Sequence, residues 1–120
     1  MKMNWLKLES IGQLEIIKEK SKENPVLIFK HSTRCSVSWA ALNRMERNWK
    51  QEEMNEVKAF YLDLLKHRDV SNQVAFEFEI EHESPQLLLI ENGLAVYDQS
   101  HLDISYQGLT DYRKNSVPKN

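Results

Sequence analysis

The run Val26-Leu27-Ile28-Phe29 constrains this chain more than any other stretch. It follows Asn24-Pro25, and the residue before a proline avoids the helical region, so a preceding helix must stop there. Four apolar residues are too few for a helix. Branched and aromatic side chains in an unbroken run suit a strand buried on both faces. Such a strand has to be covered above and below, so the rest of the chain must supply elements for both sides of a sheet.

The flanking patterns supply them. Asn4 to Leu8 reads as a short first strand. Ser10 is placed to N-cap a helix with Leu14, Ile16 and Ile17 inward and Lys18, Lys20 and Lys22 outward. After the central strand a long helix is expected from about Ser36 to Glu53. Val37, Ala41, Leu42, Met45 and Trp49 form its apolar face, and Arg44, Arg47 and Lys50 its wet side. Glu56 to Leu65 alternates as a strand. Asp69 to Ile80 fits either a period-two strand or a short helix followed by an extended piece. Pro85 to Ile90 is a strand, Glu91-Asn92-Gly93 is a hairpin turn, and Leu94 to Asp98 is the antiparallel partner. A last helix is expected from near Ser100, where Asp103 gives a capping-box-like spacing, and it carries Ile104, Tyr106, Leu109 and Tyr112.

The order β-α-β-α-β-α-β-β-α needs parallel crossovers early and ends in a hairpin. The fold class is α/β, a central mixed sheet with helices on both faces. With three glycines and three prolines there is no linker, and no repeat is visible. Residues 1–114 are read as a single domain, with a frayed tail over 115–120.

Composition excludes several functions. The net charge is −2 with no basic stripe, which argues against nucleic acid as a partner. No apolar run approaches the roughly 18–20 residues of a membrane span, and the N-terminus lacks the apolar core of a signal peptide. One cysteine forms no internal disulfide, so a reducing cytoplasm is the expected compartment. Paired-histidine or multi-cysteine spacing of the zinc kind is missing, and so is a glycine-rich phosphate loop. His67 and His82 have no partner pattern.

What remains is Cys35, in "KHSTRCSVSWAAL". A lone cysteine is commonly just a small buried hydrophobe. This one follows the central strand and opens a helix, where free N–H groups and the dipole favour an anion. Thiols so placed titrate at roughly 3.5–7.5 instead of about 8.5. Its neighbours Thr33, Arg34, Ser36 and Ser38 are polar or cationic. Ser38, one helical turn on, is expected to donate a hydrogen bond to the sulfur. Arg34 is either a solvated loop charge or a steering charge for an anionic thiol compound.

The element order, the single cysteine at a helix start and "SPQLLLIENG" resemble the thioredoxin fold. That resemblance implies that Pro85 is cis and faces the thiol, with Ser84 offering its backbone to a bound disulfide. More narrowly, "FKHSTRCSVS", "SPQLLLIENG" and "DQSHLDIS" resemble the YtxJ-like monothiol bacilliredoxins over nearly the whole chain. That family usually reads Cys-Pro-x-Ser, whereas here Ser36 replaces the rigid first-turn proline. The buried acidic residue of ordinary thioredoxins falls near Phe29, which relays no proton.

The resemblance implies a one-thiol exchange with no bound cofactor. Cys35 attacks mixed disulfides between proteins and bacillithiol, the co-substrate, and carries bacillithiol away. Its partners are then bacillithiolated proteins and a small thiol, with no nucleic acid or membrane. Lys30, His31, Thr33 and His101 are expected to line the pocket, Lys30 and His101 meeting carboxylates of the malate moiety. Two other readings stay open: a non-catalytic thioredoxin-like adaptor, and a glutathione-linked monothiol glutaredoxin-type protein, although that family carries Gly-Phe where this chain has Ser36-Val37.

Overall fold

A computed structural model describes residues 3–116. Its elements run β1 (Leu6–Lys7), α1 (Gly12–Lys20), β2 (Val26–His31), α2 (Ser36–Asn48), β3 (Lys58–Asp63), α3 (Arg68–Phe78), β4 (Gln86–Glu91), β5 (Leu94–Ser100) and α4 (Tyr106–Ser116). Short 3-10 turns at Gln51–Glu53 and His101–Asp103 complete it. The sheet order is β1-β3-β2-β4-β5, with β1, β3 and β2 parallel and β4 and β5 antiparallel to their neighbours.

The apolar run does sit at the centre: every residue of β2 is buried. Its alternate residues feed two cores. Leu27 and Phe29 pack with Ala41, Leu42 and Met45 of α2 and with Tyr106 and Leu109 of α4. Val26 and Ile28 pack with Leu14 and Ile17 of α1 and with Val70, Val74 and Phe78 of α3. Helices therefore cover both faces of a mixed sheet. At roughly 25 cal/mol per Å² of apolar surface removed from water, these two clusters dominate the folding energy. The β4–β5 turn puts Asn92 at φ 53° and Gly93 at φ 76°, the left-handed pair that a tight hairpin requires.

Several sequence expectations shift in detail. Ile16 faces solvent, because a nine-residue α1 buries only the narrow stripe Leu14, Ile17 and then Ser21. Ser10 is not the N-cap of α1. The Gln13 side chain instead reaches back and accepts the Glu9 and Ser10 N–H groups at 2.6 and 2.9 Å. The long helix stops at Asn48, and Trp49 turns extended before the 3-10 turn. Arg44 is half-buried, not wet, and donates twice to the Ile104 carbonyl, at 3.3 and 2.9 Å. The ambiguous Asp69–Ile80 segment is helical through Phe78, which leaves Phe76 exposed. The last helix starts later than Ser100: Ser105 caps it, its Oγ accepting the Gly108 N–H at 3.0 Å. The expected tail begins inside α4, which continues to Ser116; residues 117–120 lie outside the described residues.

Candidate functional site

Three connections converge at the carboxyl end of β2: the 32–35 loop, the Ser84-Pro85 junction and the 101–103 turn. Register explains why. Lys30 pairs with Gln86, and Gln86 pairs with Ser100, so Pro85 and His101 flank the level of His31. The Ser84–Pro85 peptide is cis, as the resemblance implied, and Pro85 accepts the His101 N–H on its carbonyl at 3.0 Å.

The 32–35 loop is pinned from two sides by the first turns of α2. Trp39 Nε1–H donates to the Thr33 carbonyl at 2.9 Å. The Ser32 N–H donates to Ser38 Oγ at 3.0 Å. Cys35 then takes the N-cap position of α2 in extended backbone (φ −115°, ψ 121°), and its carbonyl accepts the Trp39 N–H at 3.1 Å. The thiol is half-buried. It therefore stands where the unpaired N–H groups of the first helical turn favour negative charge, with room for a disulfide partner to approach. Thr33, Arg34 and Ser36 are exposed around it, and Ser84 is partly exposed across from it.

Two expected roles change. Ser38 is fully buried, and its oxygen is engaged by the Ser32 N–H and by His31 Nδ1 at 2.6 Å, with no bond to the Cys35 sulfur. Lys30 does not line the thiol pocket. Adjacent strand residues point to opposite faces: His31 joins Leu27 and Phe29 on the α2 side, and Lys30 goes with Ile28 toward α3. There it is fully buried, its Nζ donating to the Ser71 carbonyl at 3.2 Å and lying 3.1 Å from His82 Nδ1. Burial without a carboxylate partner lowers its pKa from 10.5 to about 8. His82, which carried no signal in the sequence, is thus tied to a buried cation. The period-two rule applied to "FKH" separates these faces in advance.

His31 is fully buried too, beneath the loop and not lining an open pocket. Its ring meets Trp39 edge-on at 4.4 Å between centroids and lies 5.5 Å from Tyr61. Burial pushes its pKa down, outweighing the pull of Asp63 and Glu46. His101 is exposed and pairs with Glu83 at 3.1 Å. Phe29, at the level where an acidic residue was to be expected of an ordinary thioredoxin, is wholly apolar core. Among the described residues no group of three His, Cys, Asp or Glu side chains is placed to hold a metal ion, and no helix is long and apolar enough to cross a membrane.

A mixed five-stranded sheet with a thiol at the α2 N-terminus and a cis-proline before β4 defines a thioredoxin-fold thiol oxidoreductase. The structure is similar to a proposed oxidoreductase with a thioredoxin fold, at 30% identity over 90% of this chain and 92% of that one, with a TM-score of 0.75. It shares its fold with the thioredoxin of Malassezia sympodialis (13% identity, 93% and 90% covered, TM-score 0.73) and with that of Fasciola hepatica (15% identity, 92% and 98% covered, TM-score 0.69). The chain belongs to the monothiol bacilliredoxin family: the family model of monothiol bacilliredoxin BrxC matches residues 6–109.

Proposed function

We propose that the protein removes bacillithiol from protein mixed disulfides, working in the bacterial cytoplasm during oxidative stress. The observation that carries this reading is one half-buried thiol at the α2 N-cap, in a sequence with no second cysteine. Such a thiol exchanges disulfides between molecules and never closes one of its own.

The steps balance as exchange. The Cys35 thiolate attacks the bacillithiol sulfur of the mixed disulfide. The old S–S bond breaks, the protein thiolate leaves, and a Cys35–bacillithiol disulfide forms. A second bacillithiol thiolate, or a dedicated reductase system, attacks that bond and returns Cys35 to the thiolate. Cys35 stands at a helix N-terminus, a position that in general favours an anion over a neutral group. Exchange is fastest when the attacking thiol titrates near ambient pH, because further lowering weakens the nucleophile. The backbone at Ser84-Pro85 suits contact with the bound disulfide, and Thr33, Arg34 and Ser36 form the exposed rim that meets the small thiol. His101 is a weaker candidate for its carboxylates, since Glu83 already occupies it.

Intact mass after incubation with oxidised bacillithiol tests the reading. A single adduct that maps to Cys35 is expected. No adduct, with Cys35 reacting only as an unactivated thiol, leaves the adaptor reading in its place.

A further inference from the structure

The face of the β4–β5 hairpin turned toward α3 carries a cavity of about 340 Å³. Gln86 is in step with Leu88 and Ile90, which pack with α1 and α3, and Ser100 and Asp98 stand opposite Gln86 and Leu88 on β5. The 79–83 segment after α3 closes one side, and His101 and Asp103 close the end. The lining holds no residue of the 32–35 loop and neither Ser84 nor Pro85, so the cavity is separate from the thiol rim. Its walls are acidic. Glu79, Glu81, Asp98 and Asp103 line it, and among the described residues no Lys, Arg or His forms an ion pair with any of the four. Glu83 also lines it and is paired with His101.

Gln86 supplies an independent signal. Its side chain lines the cavity while being only 1% exposed. Its Nε2 donates to the Glu81 carbonyl at 3.0 Å, which settles which end of the amide is which. Oε1 is then left with no hydrogen-bond partner among the described residues. A buried acceptor costs free energy until a donor meets it. The unmet acceptor and the unpaired carboxylates agree: both call for a cation that carries N–H donors. A metal ion fits poorly, since among the described residues no three His, Cys, Asp or Glu side chains are placed to hold one. An ammonium or guanidinium group has the charge and several donors to share between Gln86 and the carboxylates.

We infer that this cavity receives a lysine or arginine side chain of the protein whose disulfide Cys35 exchanges, a residue close in sequence to that protein's modified cysteine. The occupant belongs to an extended partner chain because of how the two sites are joined. Ser84 and Pro85 connect Glu83 to Gln86, both of which line the cavity, and Ser84 lies across from Cys35. A chain laid along Ser84-Pro85 puts its cysteine at the thiol and a neighbouring side chain over the acidic walls. The reading rests on Cys35 exchanging protein disulfides, but not on bacillithiol being the group removed.

Equilibrium exchange with peptides tests this and needs no catalysis. Short, otherwise neutral peptides with a single cysteine carry lysine in turn at each nearby position, or glutamine in its place. Each is activated as an aryl disulfide. The Cys35 thiolate displaces the aryl thiolate and forms a Cys35–peptide disulfide, and the chain has no other cysteine to react. The adduct is then equilibrated with 2-mercaptoethanol, and free and bound protein are counted by intact mass. In at least one position lysine is expected to hold the adduct about tenfold more tightly than glutamine, the size of one hydrogen bond to a charged group. Glu81→Gln/Asp98→Asn and, separately, Gln86→Leu are expected to bring that ratio close to one. Glu81 and Asp98 are exposed, so the carboxylate pair decides the matter even where Gln86→Leu fails to fold. Equal constants for lysine and glutamine at every position overturn the inference, and so does a lysine preference that survives undiminished in the carboxylate variant. An activated disulfide reacts with any thiol, so a failed de-bacillithiolation assay leaves this result standing, and equal constants here leave de-bacillithiolation standing.

Discussion

Replacing Lys30 with methionine tests the site's geometry through stability. Lys30 is fully buried, faces α3 and has no carboxylate partner. Its pKa falls from 10.5 to about 8 because burial penalises the charged form. The sign follows from proton counting. Below pH 8 the lysine is charged in both folded and unfolded chains, and folding bears the whole burial penalty. As pH rises from 8 toward 10.5 the folded chain loses the proton first, so the unfolded state binds more protons and stability climbs. Between pH 7 and 9.5 the rise comes to about 2 kcal/mol. That is a ceiling, since His82 beside Nζ is open to water, which screens part of the effect. Stopping at 9.5 avoids the tyrosines, whose raised values at Tyr61, Tyr97 and Tyr106 act in the opposite direction above pH 10. Lys30→Met fills a similar volume without charge. Urea unfolding across this range is expected to show the rise in the native protein and a flat profile in the variant. At pH 7 the variant is expected to gain about 1 kcal/mol, once the relieved burial is set against two lost hydrogen bonds of roughly 1 kcal/mol each. Thiol exchange is expected to stay at the native rate. Parallel stability profiles would refute the buried-cation account, and a collapse of thiol exchange in a folded variant would return Lys30 to the pocket.

Three smaller outcomes follow from local geometry. Glu79 closes α3 in the left-handed region (φ 53°, ψ 44°), so Glu79→Gly is expected to raise stability by about 0.5–1 kcal/mol in urea unfolding, and a loss would mean that the side chain matters more than the backbone. Ser105→Ala removes the acceptor of the Gly108 N–H and is expected to cost about 1 kcal/mol, with Ser105→Asp largely preserving the cap. Glu83→Gln breaks an exposed pair with His101 and is expected to change thermal stability by under about 0.5 kcal/mol.

The architecture was legible because its strongest signals are local and redundant. "VLIF" after a proline, the turn at Asn92-Gly93 and the cysteine after a strand each point to one place in one fold. Element ends were less legible. Ser10 and Ser100 carry the composition of caps, yet Gln13 and Ser105 do the capping, because the chain path and not residue type selects among neighbouring hydroxyls and amides. Ile16 and Phe76 are apolar and exposed, since a short helix buries only one stripe. At the site, Cys35 and Pro85 could be placed from sequence. The His31–Ser38 bond could not, because it joins a strand end to a helix turn, a tertiary contact with no spacing rule. Lys30 shows the converse: strand alternation already separates it from His31, and treating the two as one pocket ignored that parity.

The most direct test of the central claim is the release of bacillithiol from a bacillithiolated protein by the native chain and by Cys35→Ser. The account predicts that the native protein frees the target thiol, with bacillithiol recovered as a Cys35 adduct, and that Cys35→Ser frees none above background. Undiminished release by the Cys35→Ser variant would contradict it.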